Sequence, residues 1–182
     1  MKSILKFAGY VLLAAVIALL GLAIHEAGHA ATAVLCGGQV TKIQLLTLQI
    51  WPAIRWADWD GMFGGIWFTG ADQRGLILLM GSGTTALLGL CAAIMLQIAA
   101  PRSFFRKVCL TAAVLLPLDI LSYSIFPALG WRHWILFGGY GIEPLEGALE
   151  MGIPRAVYYI GLAVYALACY GLVFMRLRRR EE

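Results

Sequence analysis

The sequence predicts an all-α membrane protein of about four transmembrane helices, with a short β-hairpin or re-entrant segment between the first and second. Three observations carry this. Hydrophobic residues make up 61% of the 182-residue chain and charged residues only 13%, with a mean hydropathy of +0.82. A soluble domain of this length carries about a quarter charged residues, because its surface must face water. The apolar residues also fall in four long runs, each of roughly the twenty residues that a bilayer core demands. A single domain spanning 1–182 is expected, with no internal repeat and no low-complexity segment.

The first run extends from Ile4 to Leu35 and is interrupted only by Lys6, His25, Glu26 and His29. It exceeds what a bilayer core needs, so it should tilt or project, and Gly37-Gly38 ends it. Behind Met1-Lys2-Ser3 it superficially resembles a secretory signal. Its length, and its continuation into His25, argue for a retained helix. Val40 to Leu45 is β-prone, and Asp60-Gly61 is a turn signal between it and Ile66-Trp67-Phe68-Thr69, which together read as a hairpin. Trp51, Trp56, Trp59 and Trp67 cluster in this stretch, as aromatic residues do at a membrane interface.

The second run, Leu76 to Ala100, stops at Pro101. The third, Val108 to Phe126, holds Pro117 and Asp119, and the fourth, Ala156 to Met175, ends in the basic tail Arg176 to Arg180. In the second run Gly81, Thr85 and Gly89 recur every four residues. This small-residue stripe is expected to face the helix of His25 and His29, since close packing is the main force joining helices in lipid.

The formal charge of +4 does not indicate nucleic acid, because the basic residues lie at helix ends and form no stripe. They read instead as topology determinants. With the N-terminus cytoplasmic, nine (Lys2, Lys6, Arg102, Arg106, Lys107, Arg176, Arg178, Arg179 and Arg180) fall inside. Five (Lys42, Arg55, Arg74, Arg132 and Arg155) fall outside. The expectation is a multi-pass protein of a plasma or inner membrane, both termini cytoplasmic, with the lipid bilayer as its first partner. The four cysteines form no CxxC pair; three fall within or at the end of the expected membrane helices, where a thiol behaves as a small hydrophobe.

Chemistry concentrates in Ala23-Ile24-His25-Glu26-Ala27-Gly28-His29-Ala30, which contains an HExxH pattern. On a helix, His25 and His29 lie one turn apart on one face, so both imidazoles can reach a single Zn²⁺. Glu26 lies beside that face, placed to take a proton from a water that the metal acidifies and to pass it to a leaving amine. Burying such a cluster in hydrocarbon costs several kcal/mol unless a metal compensates. A catalytic zinc needs a third protein ligand. Asp119 is the leading candidate, with Pro117 freeing backbone nearby. Glu143 and Glu146 compete from a segment that reads as a solvated loop. His133, between Trp131 and Trp134, reads as an interfacial residue.

With these residues in place the chain resembles the site-2 protease family of intramembrane metalloproteases. The resemblance rests on HEAGH at His25–His29 within an apolar helix, on Gly37-Gly38 and a β-like segment, on Met80-Gly81-Ser82-Gly83, and on Leu116-Pro117-Leu118-Asp119. It departs from the family in having no asparagine and in placing Ile120 after the aspartate. The resemblance implies one zinc per chain on His25, His29 and Asp119, and Glu26 as general base. It further implies a transmembrane or juxtamembrane protein substrate, and a β-segment around Val40 to Gln49 that receives an unwound substrate strand. Two other function classes stand beside it. One is a non-proteolytic zinc-binding protein acting as a regulatory or binding subunit, which would need the histidines but not Glu26. The other is a small ion-conducting transporter, for which inverted repeats would be expected.

Overall fold

The computed structural model describes residues 2–58, 63–100, 103–133 and 139–179. It is mostly helical, with six α-helices and a small sheet among the described residues. Helix α1, Lys2–Leu35, is apolar over nearly its whole length. Its end follows from Gly37, whose φ of 80° suits a residue without Cβ. The Gly38 N–H reaches the Ala33 carbonyl and the Gly37 N–H that of Val34, a Schellman termination of orphan carbonyls.

The following segment is a four-stranded antiparallel sheet rather than a lone hairpin. Strands β1 (Gln39–Leu45), β2 (Leu48–Trp51), β3 (Arg55–Trp56) and β4 (Gly64–Thr69) lie in the order β3-β2-β1-β4. The expected pairing of Val40–Leu45 with Ile66–Thr69 is present, for example Val40 opposite Phe68. Two further strands lie on the other side of β1, joined by a tight turn at Leu46-Thr47. The Asp60-Gly61 turn and Trp59 lie outside the described residues.

Helix α2, Arg74–Ile98, is the axis of the bundle. The third apolar run divides into α3, Phe104–Leu115, and α4, Pro117–Ile125, with Pro117 in the first turn of α4. Proline lacks the N–H that would continue the ladder and its ring crowds the preceding turn, so the run bends there. Ser103 caps α3 by accepting from the Arg106 N–H. A short helix, α5, Glu143–Glu150, precedes α6, Arg155–Arg178.

Four spans are long and apolar enough to cross a membrane: Ile4–Leu35, Arg74–Ile98, Phe104–Leu129 and Arg155–Arg178. On the first half of α1, Ile4, Leu5, Phe7 and Leu12 are all exposed, as suits a lipid-facing surface.

Packing explains the small residues. A Cβ on Gly28 of α1 would strike the Met80 carbonyl and Thr84, and one on Gly81 would strike the ring of His29. A Cβ on Gly89 would come within 2.8 Å of the Pro117 ring. The expected stripe is therefore divided: Gly81 faces α1, while Gly89 receives the proline at the α3–α4 bend. Ala93 and Leu96 of α2, Cys109 and Ala113 of α3, and Cys169 and Val173 of α6 form one buried cluster. Leu145 and Ala148 of α5 close a second with Tyr158 and Leu162.

Candidate metal centre

His25, Glu26 and His29 are all buried on α1, in the wall of a cavity of about 710 Å³ shared with α2, α4, β4 and the start of α5. The tautomers follow from the partners. His25 Nδ1 lies 2.8 Å from Asp119 Oδ2, and His29 Nδ1 lies 2.6 Å from the Ile77 carbonyl oxygen. A carboxylate and a carbonyl only accept, so both Nδ1 atoms donate, and in a neutral ring each Nε2 then carries the lone pair. Those Nε2 atoms are 3.0 Å apart. Two lone pairs held at that separation repel, so the point between them requires a positive charge, either one proton shared by the two rings or a metal ion.

A carboxylate faces the same point. Glu143 Oε2 is 3.7 Å from His25 Nε2 and 3.5 Å from His29 Nε2. The ligand atoms of His25, His29 and Glu143 all lie within 4.8 Å of one another, and the group could hold a metal ion. Burial would raise the Glu143 carboxyl, but hydrogen bonding from His25 and His29 and the positive charge held between their Nε2 atoms outweigh it and hold the group below the usual carboxylate range. It is thus ionised, as a ligand must be.

Asp119 occupies a different place from the one expected. Its Oδ2 accepts from His25 Nδ1 and, at 2.6 Å, from the hydroxyl of the buried Thr85. It sits across the His25 ring from Nε2, which faces His29 and Glu143, so this oxygen cannot share an ion with Nε2. Asp119 fixes the tautomer and orientation of His25, and the Ile77 carbonyl does the same for His29. Glu143, not Asp119, joins the two histidines in the group that could hold an ion; it begins a helix, with Pro144 beside it in the first turn, instead of lying on a solvated loop. Glu146 is on the exposed side of that helix and outside the group.

Glu26 lines the cavity without belonging to the ligand group. A Cβ on Gly64 would collide with its carboxylate, so the glycine lets the backbone of β4 lie directly on Glu26. His133, expected at an interface, is buried and stacks on Tyr123 at 3.7 Å between ring centroids. Tyr123 in turn lies 5.1 Å from the ring of His25. Burial lowers the pKa of His133, partly offset by its hydrogen bond to the Gly141 carbonyl, so the ring is neutral at pH 7.

Neither Thr85 nor Tyr123 stands out as a site residue in the sequence. The stripe drew attention to Thr85 for packing alone. Tyr123 could have been found from its place four residues after Asp119, on the same face of a helix. No family model matches the chain, and no curated protein or solved structure matches it.

Proposed function

We propose that the chain is a membrane-embedded zinc metallopeptidase that hydrolyses a peptide bond in or beside a transmembrane segment of another protein. The observation that carries this reading is the convergence of two Nε2 lone pairs and an ionised carboxylate on one buried point, with a second carboxylate, Glu26, beside it and outside the ligand group.

The donor set fits zinc. Ligand atoms about 2.0–2.1 Å from a tetrahedral ion are roughly 3.3 Å from one another, and the observed separations are 3.0, 3.5 and 3.7 Å. Two imidazoles and one carboxylate also match the three-ligand pattern of catalytic zinc, which leaves a fourth position open. When bound, such an ion supplies Lewis acidity, acidifying a water and polarising a carbonyl.

The chain's own groups do the rest. Asp119 and the Ile77 carbonyl hold the two imidazoles in the tautomer that presents Nε2. Glu26, one residue from His25 and off the ligand face, takes the proton from the attacking water and returns it to the leaving amine. Phe63 and β4 line the cavity as far as Phe68, and among the described residues β4 is paired on one side only, by β1. An unwound substrate segment could add to its other edge. β1 cannot take that role, since β2 and β4 occupy both its sides. The receiving edge suggested for Val40–Gln49 therefore moves to Gly64–Thr69. Leu19, Leu22, Ile66 and Phe68 in the same wall suit apolar substrate side chains.

The test is zinc content together with cleavage of a helical membrane substrate, by the wild type and by Glu26→Gln. The variant should keep one zinc per chain and lose about 10²–10⁴-fold in turnover. A variant that still cleaves removes Glu26 from the chemistry. Zinc-loaded wild type that cleaves no presented substrate would favour a regulatory or binding subunit.

A further inference from the structure

Glu143 reaches the two imidazoles from the junction between residues 139–142 and α5, whose Pro144 and Leu145 are buried. It is the first residue of α5, whose cap position is Ile142, a side chain that cannot cap. Gly139 and Gly141 lie just before it. Among the described residues, a Cβ on Gly139 would meet nothing closer than His133 at 3.7 Å, and one on Gly141 nothing closer than Glu143 at 3.9 Å. The far half of α5 is anchored differently: Gly147 packs on the backbone of Gly75 and Leu79, and Glu150 pairs with Arg74. Those contacts, with the burial of Pro144 and Leu145, fix the helix itself, whereas residues 139–141 lie ahead of it.

His133 does act there. Its Nε2–H donates to the Gly141 carbonyl, and its backbone N–H donates to the Gly139 carbonyl at 3.1 Å. Its ring is stacked on Tyr123, tilted by 28°. Tyr123 is one turn beyond Asp119 on α4 and packs on His25. The contacts thus close a ring, running from His25 through Tyr123, His133 and Gly141 to Glu143, whose carboxylate returns to His25.

We propose that His133 is a positioning residue for the metal centre: it clamps the glycine-flanked segment before α5 and so sets where Glu143 places its ligand oxygen. This rests on the metal-site reading above and goes beyond it, since nothing in an HExxH pattern requires a histidine more than a hundred residues away. His133 stands in the cavity wall but outside the ligand group. It acts through Glu143.

The experiment is a zinc titration of the purified full-length protein against a chromophoric chelator, with the visible spectrum of the cobalt-substituted protein as a second readout. His133→Phe keeps a ring on Tyr123 but removes the donor to Gly141, and His133→Gln keeps a donor. Loss of a group that orients a ligand weakens metal affinity by about 10–100-fold. The Phe variant should fall in that range with an altered cobalt spectrum, and the Gln variant should recover part of the loss. In a Glu143→Gln background His133→Phe should cause no further loss, because the residue through which it acts is already gone.

Wild-type affinity in His133→Phe overturns the proposal, as does an undiminished second loss in the double variant, which would mark His133 as a general packing residue. Should the Phe variant misfold, His133→Leu carries the same comparison. A wild type that binds no zinc would refute the metal-site reading itself. A wild type that binds zinc, beside an unaffected His133→Phe, rejects this inference alone.

Discussion

Asp119 and Glu143 both bring a carboxylate to His25, yet they meet opposite nitrogens of its ring. That difference decides what each does. Asp119→Asn keeps an acceptor for Nδ1 but removes the charge, so zinc affinity should fall about 10–100-fold while stoichiometry stays at one per chain. Glu143→Gln removes a ligand and should cost more. A titration series ranking the two the other way would restore Asp119 as third ligand. His133 adds a pH dependence. Its folded pKa lies below the ordinary value of about 6.5, so the unfolded chain binds a proton first. Stability from keeping the ring neutral is complete above about pH 6.5 and declines as pH falls toward the folded pKa. Thermal unfolding of the metal-free protein in detergent should therefore show a smaller drop between pH 7.5 and 5 for His133→Gln than for the wild type. At this scale His25, Glu26 and His29 were legible because helical period alone puts both imidazoles on one face. The roles of Asp119 and Glu143 were not, because spacing does not encode which ring nitrogen a partner meets.

Among the elements, α2 shows how small residues make the site. Gly81 admits the His29 ring, Thr85 holds Asp119, and Gly89 receives Pro117. Gly89→Leu would drive a side chain into the proline ring, and overpacking of this kind costs about 1–3 kcal/mol. The variant should unfold at a lower detergent or heat challenge, with zinc binding weakened through displacement of α4. An unaffected variant would mean that α4 tolerates the shift. Gly64→Val tests the sheet in a different way. Its side chain would occupy the position of the Glu26 carboxylate, so cleavage should be lost while zinc content is retained. The apolar runs and the Pro117 bend were readable from hydropathy and from proline's missing donor. β2 was hidden because its turn from β1 has Leu46 at φ 54°, a conformation that turns usually assign to Gly or Asn. No sequence signal marks such a turn. α5 was hidden by its length of eight residues, too short for an apolar period to stand out.

Across the whole molecule the metal centre lies at one end of the bundle. His25 is twenty-one residues beyond Ile4, or about 32 Å along a helix rising 1.5 Å per residue, roughly the thickness of a bilayer core. One turn on, His29 meets Ile77 and Gly81 in the first half of α2, and Glu143 of α5 reaches the same end. At the opposite end the Arg176 guanidinium donates to the Ala99 carbonyl at 2.7 Å, and Lys107, in the first turn of α3, lies over the ring of Tyr10 near the start of α1. Positive residues gather on the cytoplasmic side of membrane proteins. This asymmetry therefore predicts that both termini are cytoplasmic and that the zinc site opens toward the opposite face. Reporter fusions after residue 182 and near residue 104 should both read as cytoplasmic. A cysteine placed at exposed Tyr140, next to the Glu143 segment, should react with an impermeant thiol reagent from outside, once the native cysteines are replaced. Labelling of that cysteine only after permeabilisation, with either fusion read as external, would invert the molecule. The metal centre would then face the cytoplasm, and the substrate bond would have to be presented from that side.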